Sequence, residues 1–377
     1  DSRGNIKKNL GILSPESGND LILNIDAELQ KKLYDSMAEI LDKTENKTAA
    51  AVAIDPRSGG VLAMVSLPSY DNNLFAGGIK NDDYQMIIND KNLPLLNRAI
   101  NGEYPPGSTI KPAVAAAALS EGIITPDTII DGHGGSINVG GFSFGDWKVH
   151  GPSDVRLAIA QSNNIFFYSI GGGYGNISGL GMSRMKRYEN LFGFGAPTGI
   201  DLPGESSGFI PDEQWKMDKY NEKWYVGNSY HAAIGQGYIT ATPLQLANYT
   251  AALANGGTLY APRVVSQIKK DNGQVELVNP NIIRKDFINS SVMQVVREGM
   301  RKTITDGTAQ FLKDLPVAVA GKTGTSQYGG EGKTHGWFIS FAPYDDPEIA
   351  MAILAEGDAD GHTLGIPATK AVYEYYF

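Results

Sequence analysis

The sequence predicts an α/β (α+β) fold: an antiparallel sheet flanked by helices, with an inserted helical subdomain. Three observations carry this reading. A helix and a strand hairpin stand near the N-terminal end, and a strand, a hairpin and a helix close the C-terminal end. Between them lies a long run of short helical patterns parted by glycine-rich loops. Strands from both ends then share one sheet, the middle is an insertion, and the cleft between the two units is the natural place for a site.

Residues 1–20 are polar and read as the remnant of a removed N-terminal region or linker. A helix follows from the N-cap Asp26 to Leu41, with Leu29, Leu33, Met37 and Ile40 on one face. The hairpin pairs Ala49–Ile54 with Val61–Ser66 through Pro56-Arg57-Ser58-Gly59-Gly60. Strand signals return at Val317–Ala320, Gly336–Ala342 and Glu348–Leu354, and an amphipathic helix covers about Ile366–Tyr376. The expected division is one domain over 21–377. Its sheet subdomain takes about 21–70 and 285–377, and its mostly helical subdomain about 71–284.

With 377 residues, 42% of them hydrophobic and 19% charged, the chain buries a substantial core. A formal net charge of -9 leaves no basic stripe for phosphates and argues against a nucleic-acid partner. The chain has no cysteine, which excludes disulfides, thiol nucleophiles and Cys-ligated metals. No stretch approaches the roughly 20 apolar residues of a membrane span. The chain begins at Asp1 without Met and reads as a piece of a longer protein.

A hydroxyl nucleophile near neutral pH needs a base within reach and donors for the oxyanion that forms. A lysine whose pKa burial lowers can be that base. On a helix, Ser-x-x-Lys places both groups on one face. The pattern occurs at Ser108–Lys111, Ser183–Lys186 and Ser266–Lys269. Ser266 sits in a strand-like run where i and i+3 point to opposite faces. Ser183 opens a charged helix, which reads as an N-cap followed by a solvated lysine. Ser108 follows the break Pro105-Pro106-Gly107 and precedes the apolar run Ala113–Leu119. It therefore stands at the start of a buried helix, where backbone N–H groups favour developing negative charge. A capping serine with a snorkelling lysine is the plain alternative.

Two further pieces accompany it. Lys322-Thr323-Gly324-Thr325 follows the strand Val317–Ala320, and its hydroxyls and ammonium suit a carboxylate. It is not a phosphate loop, because Pro316 stands where the first glycine belongs. Ser162-Asn163-Asn164 lies between two helical runs, Asp154–Ala160 and Ile165–Ile170. Ser-x-x-Lys on a helix start, Ser-x-Asn on an inter-helix loop and Lys-Thr-Gly on a strand form the set shared by penicillin-binding proteins and serine β-lactamases.

The chain thus resembles the transpeptidase domain of class B penicillin-binding proteins. Supporting stretches are Tyr104-Pro-Pro-Gly-Ser-Thr-Ile-Lys-Pro112, Thr198-Gly-Ile-Asp-Leu-Pro-Gly-Glu205 and Ile234-Gly-Gln-Gly237. The Tyr-Pro-Pro run and the Phe-Gly-Phe-Gly segment are most similar to the cell-elongation members. The resemblance implies the transpeptidase fold of that family and a D-Ala-D-Ala transpeptidase that cross-links peptidoglycan stem peptides and is acylated by β-lactams. It implies Ser108 as nucleophile, Lys111 as general base, Ser162 and Asn164 as proton relay and amide binder, and Lys322 as an electrostatic partner. Thr323 and Thr325 would hold the substrate carboxylate beside Gly324, and the N–H groups of Ser108 and Thr325 would form the oxyanion hole. It further implies glycosyltransferase and elongation-complex partners, and a site on the periplasmic face of the bacterial cytoplasmic membrane, anchored by an N-terminal segment. Some elongation members hold zinc in the loop before Ser-x-Asn. Here that loop carries Asp131, His133, Asp146 and His150 without a cysteine, so the expected metal is none, with a zinc cluster of Asp131, Asp146 and His150 as the alternative. A D,D-carboxypeptidase, a β-lactamase and a non-catalytic β-lactam sensor are the competing functions.

Overall fold

Leu29, Leu33 and Met37 recur every four residues, so a helix that starts at the Asp26 cap buries one stripe; Leu41 completes it, while Ile40, expected on that face, is only partly buried. The computed structural model, which describes residues 18–329, 332–357 and 363–377, forms that helix as α1, Ala27–Asp42. The Asp26 carboxylate accepts the Glu28 and Leu29 N–H groups, each at 3.0 Å.

The hairpin forms as β1 (Ala49–Ile54) and β2 (Val61–Leu67). Near the other chain end come β3 (Ala320–Gln327), β4 (Thr334–Ala342) and β5 (Ile349–Ala355). All five make one antiparallel sheet in the order β3-β4-β5-β1-β2. Strands β1 and β5 are interior and wholly buried, while β2, an edge strand, alternates. Alternate side chains feed two cores. Ala51, Ala53, Met351 and Ile353 face α1 and the closing helix Gly365–Tyr376. Val52, Ile54, Ala352 and Leu354 face the helical side.

The strand expected at Val317–Ala320 lies elsewhere. Pairing begins only at Ala320 and runs through Lys322-Thr323-Gly324-Thr325 to Gln327. The apolar run before it is irregular: the Ala318 carbonyl accepts Tyr344 N–H and the Val319 carbonyl accepts Arg301. Lys, Thr and Gly have little intrinsic strand preference, so the partner β4 imposes the strand. Gly321 is required there, because a Cβ would stand 2.7 Å from the Ile339 carbonyl oxygen.

The middle of the chain holds more strand than its sequence suggests. Val265–Lys269 pairs with Asp20–Leu23, so Asp20, expected in the frayed remnant, begins a strand; residues 1–17 lie outside the described residues. Thr258–Ala261 pairs with Asn281–Lys285, and Ser136–Val139 makes a hairpin with Phe142–Gly145. The helices that matter for the site are α2 (Lys111–Ser120), α3 (Val155–Gln161), α4 (Asn164–Gly172) and α5 (Gly181–Leu191). Nearly every residue of α2 is buried, as befits a helix that is apolar all round. It packs against α4, α5 and the helix Ser290–Thr305. Among the described residues no helix is long and apolar enough to cross a membrane.

One acid lies inside this core. Glu189 on α5 is 1% exposed, neither carboxylate oxygen has a hydrogen-bond partner, and burial pushes its pKa up to about 8. Its folded pKa stands above its ordinary 4.5. The neutral form's contribution is therefore full below about pH 4.5 and drains away as pH rises to about 8. Glu189→Gln is expected to flatten the decline of the thermal midpoint between about pH 5 and pH 8, as read by calorimetry. An unchanged slope would mean the carboxyl is solvated.

Candidate active site

The turn that carries Ser108 is built by exclusion. Pro105 and Pro106 have no N–H to donate and fix φ, so the chain enters rigid, with Pro106 already in the helical region at φ -73° and ψ -15°. Gly107 then takes φ +53°, and Gly107–Ile110 forms a 3-10 turn that runs directly into α2. Ser108 is half-buried in this turn, and Lys111 is the first residue of α2. Sequence reasoning placed Ser108 at a helix start; the structure adds that the start is a tighter turn.

Lys111 is 0% exposed. Its Nζ donates to the Ser162 carbonyl at 2.7 Å, to Asn164 Oδ1 at 2.6 Å and to Ser162 Oγ at 3.2 Å. It also lies 5.2 Å over the Phe167 ring. Burial pulls its pKa down to about 7, against the opposing charge of Asp146. Ser162, the C-cap of α3, is held at φ 56°, a left-handed conformation that costs a non-glycine residue about 1 kcal/mol. That turn aims the Ser162 carbonyl and hydroxyl at Lys111, and lets Asn163 cap α4 through Phe166 N–H at 2.9 Å.

Lys322 on β3 is also fully buried, with its Nζ donating to the Thr323 carbonyl at 2.9 Å. Burial, and then the charge of Lys111, hold its amine well below the ordinary lysine range. A positive charge on Lys111 thus adds to burial in disfavouring an ammonium at Lys322.

The turn and the strand touch. A Cβ on Gly107 would stand 2.6 Å from the Thr325 carbonyl oxygen, and one on Gly324 would stand 2.8 Å from Thr109 Cγ2 and 3.2 Å from the Pro106 oxygen. These glycines bring the backbone of Ser108 beside that of Thr325. Because β3 is the sheet's edge, its free side opens onto the cleft. A third glycine, Gly235 at φ +72°, lets the Ile234–Gly237 loop pack on Gly107, whose N–H donates to the Gly235 carbonyl at 2.9 Å.

A cleft of about 350 Å³ results, and Ser108, Ser162, Asn164, Thr323, Gly324 and Thr325 all line it. Four more side chains complete the lining: Trp147, Ile234, Gln236 and Thr308. Ile234 and Gln236 belong to a stretch already singled out. Gln236 clamps β3, donating to the Thr325 carbonyl at 3.2 Å and accepting Gln327 N–H at 3.3 Å. Trp147 and Thr308 carry no local signal; Thr308 pairs with Thr323, hydroxyl to hydroxyl at 2.7 Å. Among the described residues, no Asp or Glu lines this cleft.

The other two Ser-x-x-Lys pairs lie elsewhere. Ser183 is not an N-cap, because α5 begins at Gly181 after Leu180, and Lys186 is paired with Asp212 rather than solvated. Ser266 donates to the Ile22 carbonyl at 2.8 Å.

The weighed zinc cluster does not assemble. His133 and Asp131 form an exposed pair at 2.6 Å, whereas the Asp146 and His150 side chains are buried 3.6 Å apart. His150 Nδ1 is engaged by Gln161 Oε1 at 3.1 Å. Among the described residues no group of three or more His, Cys, Asp or Glu could hold a metal ion. Asp146 instead accepts Ile165 N–H at 3.0 Å and steadies the charge of Lys111.

Residues 49–374 match the family described as the penicillin binding protein transpeptidase domain. The chain belongs to that family. It is 35% identical over 384 residues to the peptidoglycan D,D-transpeptidase MrdA of Escherichia coli K12, covering 97% of this chain and 59% of that protein. The chain thus spans about three fifths of such a relative's length. Among solved structures it resembles Pseudomonas aeruginosa PBP2 in complex with WCK 5153, with a TM-score of 0.83 and 34% identity, covering 95% of this chain and 79% of that one. It also resembles the Helicobacter pylori complex between PBP2 and MreC, with a TM-score of 0.81 and 34% identity over 94% of this chain and 64% of that one. The penicillin-binding protein transpeptidase fold expected from the motifs is therefore the fold observed.

Because a free amine accepts a proton and an ammonium does not, the lowered pKa of Lys111 sets a pH profile. The rate at which an acyl donor labels Ser108 is expected to climb through about pH 7 and to level off above pH 8, in stopped-flow measurements. A rate still rising toward about pH 10 would mean that Lys111 keeps its ordinary pKa.

Proposed function

We propose that this chain is the transpeptidase part of a peptidoglycan D,D-transpeptidase of the cell-elongation type, working through an acyl-enzyme on Ser108. The observation that carries the reading is Lys111: a buried amine behind the cleft, bonded to Ser162 and Asn164, one turn from the only Ser-x-x-Lys serine that lines the cleft.

The chemistry follows from that arrangement. Lys111 Nζ takes the Ser108 hydroxyl proton as Oγ attacks the carbonyl of the penultimate D-Ala of a stem peptide. The oxyanion meets the N–H groups of Ser108 and Thr325, which the tight glycine contacts bring together. As the C–N bond breaks, the leaving D-Ala nitrogen receives the proton back through the Ser162 hydroxyl. An amine of a second stem then attacks the ester, forms the cross-link and frees Ser108. Asn164 binds the substrate amide, the Thr323 and Thr325 hydroxyls beside Gly324 hold the terminal carboxylate, and Lys322 adds positive potential beneath it. A β-lactam presents the same carboxylate and a strained amide, and acylates Ser108 in the same way. Among the described residues no carboxylate lines the cleft, which favours a long-lived acyl-enzyme over a β-lactamase, whose hydrolytic water needs a base.

Residues 71–284 act as an inserted helical subdomain on a sheet subdomain of 21–70 and 285–377. The whole protein works at the periplasmic face of the cytoplasmic membrane, held there by an N-terminal segment. Its partners are a glycosyltransferase and elongation-complex proteins, a reading supported by the MreC complex of the Helicobacter pylori relative.

Incubation with pentapeptide-bearing peptidoglycan is expected to yield cross-linked dimer and free D-Ala, and Ser108→Ala to abolish both. D-Ala release without dimer would turn the reading to a carboxypeptidase. Rapid nitrocefin turnover would turn it to a β-lactamase.

A further inference from the structure

The strap that presents Ser108 is tied to the sheet by an ion pair of buried Arg98 and partly exposed Glu356 that the reaction scheme does not use. Tyr104 begins the strap. Its backbone pairs with Ala241 in both directions, at 3.0 and 2.9 Å. Its ring, 8% exposed, packs edge-on against His335 and Trp337. Its hydroxyl donates to Glu356 Oε1, the same oxygen that accepts Arg98 Nε at 2.9 Å. Arg98, 3% exposed, is anchored in turn by the carbonyls of Asn92 at 2.6 Å and Leu93 at 3.2 Å.

Glu356 is well placed for such an anchor. It directly follows β5, and its N–H donates to the Thr48 carbonyl beside the first residue of β1 at 3.0 Å, so it reports the position of two interior strands. A second tie comes from β4, whose Trp337 Nε1 donates to the Pro105 carbonyl at 3.0 Å. Two prolines and Gly107 follow Tyr104 before Ser108. Because Pro105 and Pro106 have fixed φ, a shift at Tyr104 passes down the strap instead of being absorbed.

We propose that Glu356, by accepting hydrogen bonds from both Tyr104 and Arg98, is a positioning residue that sets where Ser108 stands against the Thr325 backbone on β3. This rests on the reading of Ser108 as the nucleophile. Burial and the Glu356 carboxylate both push the Tyr104 phenol up, so it stays a donor throughout the working pH range. Misplacing a nucleophile by a fraction of an ångström slows the chemical step more than it weakens binding of the acyl donor. A structural brace would act on stability instead.

The test uses Tyr104→Phe, which keeps the ring and removes the hydroxyl, Glu356→Ala, which removes the shared acceptor oxygen, and the double variant. Stopped-flow acylation by benzylpenicillin separates the limiting acylation rate from the apparent dissociation constant, and calorimetry gives each midpoint. Each single variant is expected to lower the limiting rate by about tenfold, with the dissociation constant changed by no more than about twofold. The double variant should be no slower than the slower single, because both remove one linkage. Limiting rates equal to wild type in both single variants would overturn the proposal. So would losses that multiply in the double variant and follow the fall in midpoint. A wild-type protein that takes no acyl group at all would overturn the reading of Ser108 itself.

Discussion

The structure turns on one constraint, the burial of the Lys111 amine. An ammonium taken out of water is strongly disfavoured unless it is paired, and the surroundings of Lys111 supply hydrogen-bond acceptors rather than a directly bonded carboxylate. The α3–α4 turn therefore has to deliver the Ser162 carbonyl and the Asn164 side chain, even though Ser162 must adopt a left-handed backbone to do so. Asp146, one layer out, offsets part of the cost without ending the depression of the pKa. The result is an amine that can be neutral near pH 7 and is fixed in direction, which a serine nucleophile requires of its base.

The same logic places the sheet. A cleft walled by a sheet gains most from an edge strand, whose outer side is not paired with another strand. Strand β3 is that edge. Its small and hydroxylated residues let Gly107 and Pro106 approach at van der Waals distance, and Gln236 holds its far end. The Ser108 turn, the inter-helix turn and the edge strand come from sequence positions roughly fifty and two hundred residues apart, so no two of them line the cleft together without the folded core between them.

What the sequence revealed follows from how local each signal is. The Asp26 cap, the apolar stripe of α1 and the Ala49–Leu67 hairpin rest on short-range periodicity and appear where expected. Ser108 stood out because Pro-Pro-Gly and an alanine helix are themselves local signals. Lys-Thr-Gly lies on a strand as its motif led one to expect, but the bounds of that strand were not legible: the apolar run Val317–Ala320 looked like the strand, whereas Lys, Thr and Gly become strand only through pairing with β4. Trp147 and Thr308 reach the cleft through a hairpin and a post-helical loop whose positions are tertiary, and nothing near them in sequence marks either. The Asp and His residues of the 131–150 loop suggested a shared ligand set. The fold separates them, because one pair faces solvent while the other is buried behind α4.

The central claim is that Ser108, and not another Ser-x-x-Lys serine, carries the acyl group. Intact-mass measurement after exposure to a penicillin, followed by peptide mapping of the adduct, tests it most directly. The account predicts one adduct per chain, on the peptide containing Ser108. An adduct on the peptide of Ser183 or Ser266, or none on the folded protein, would contradict it.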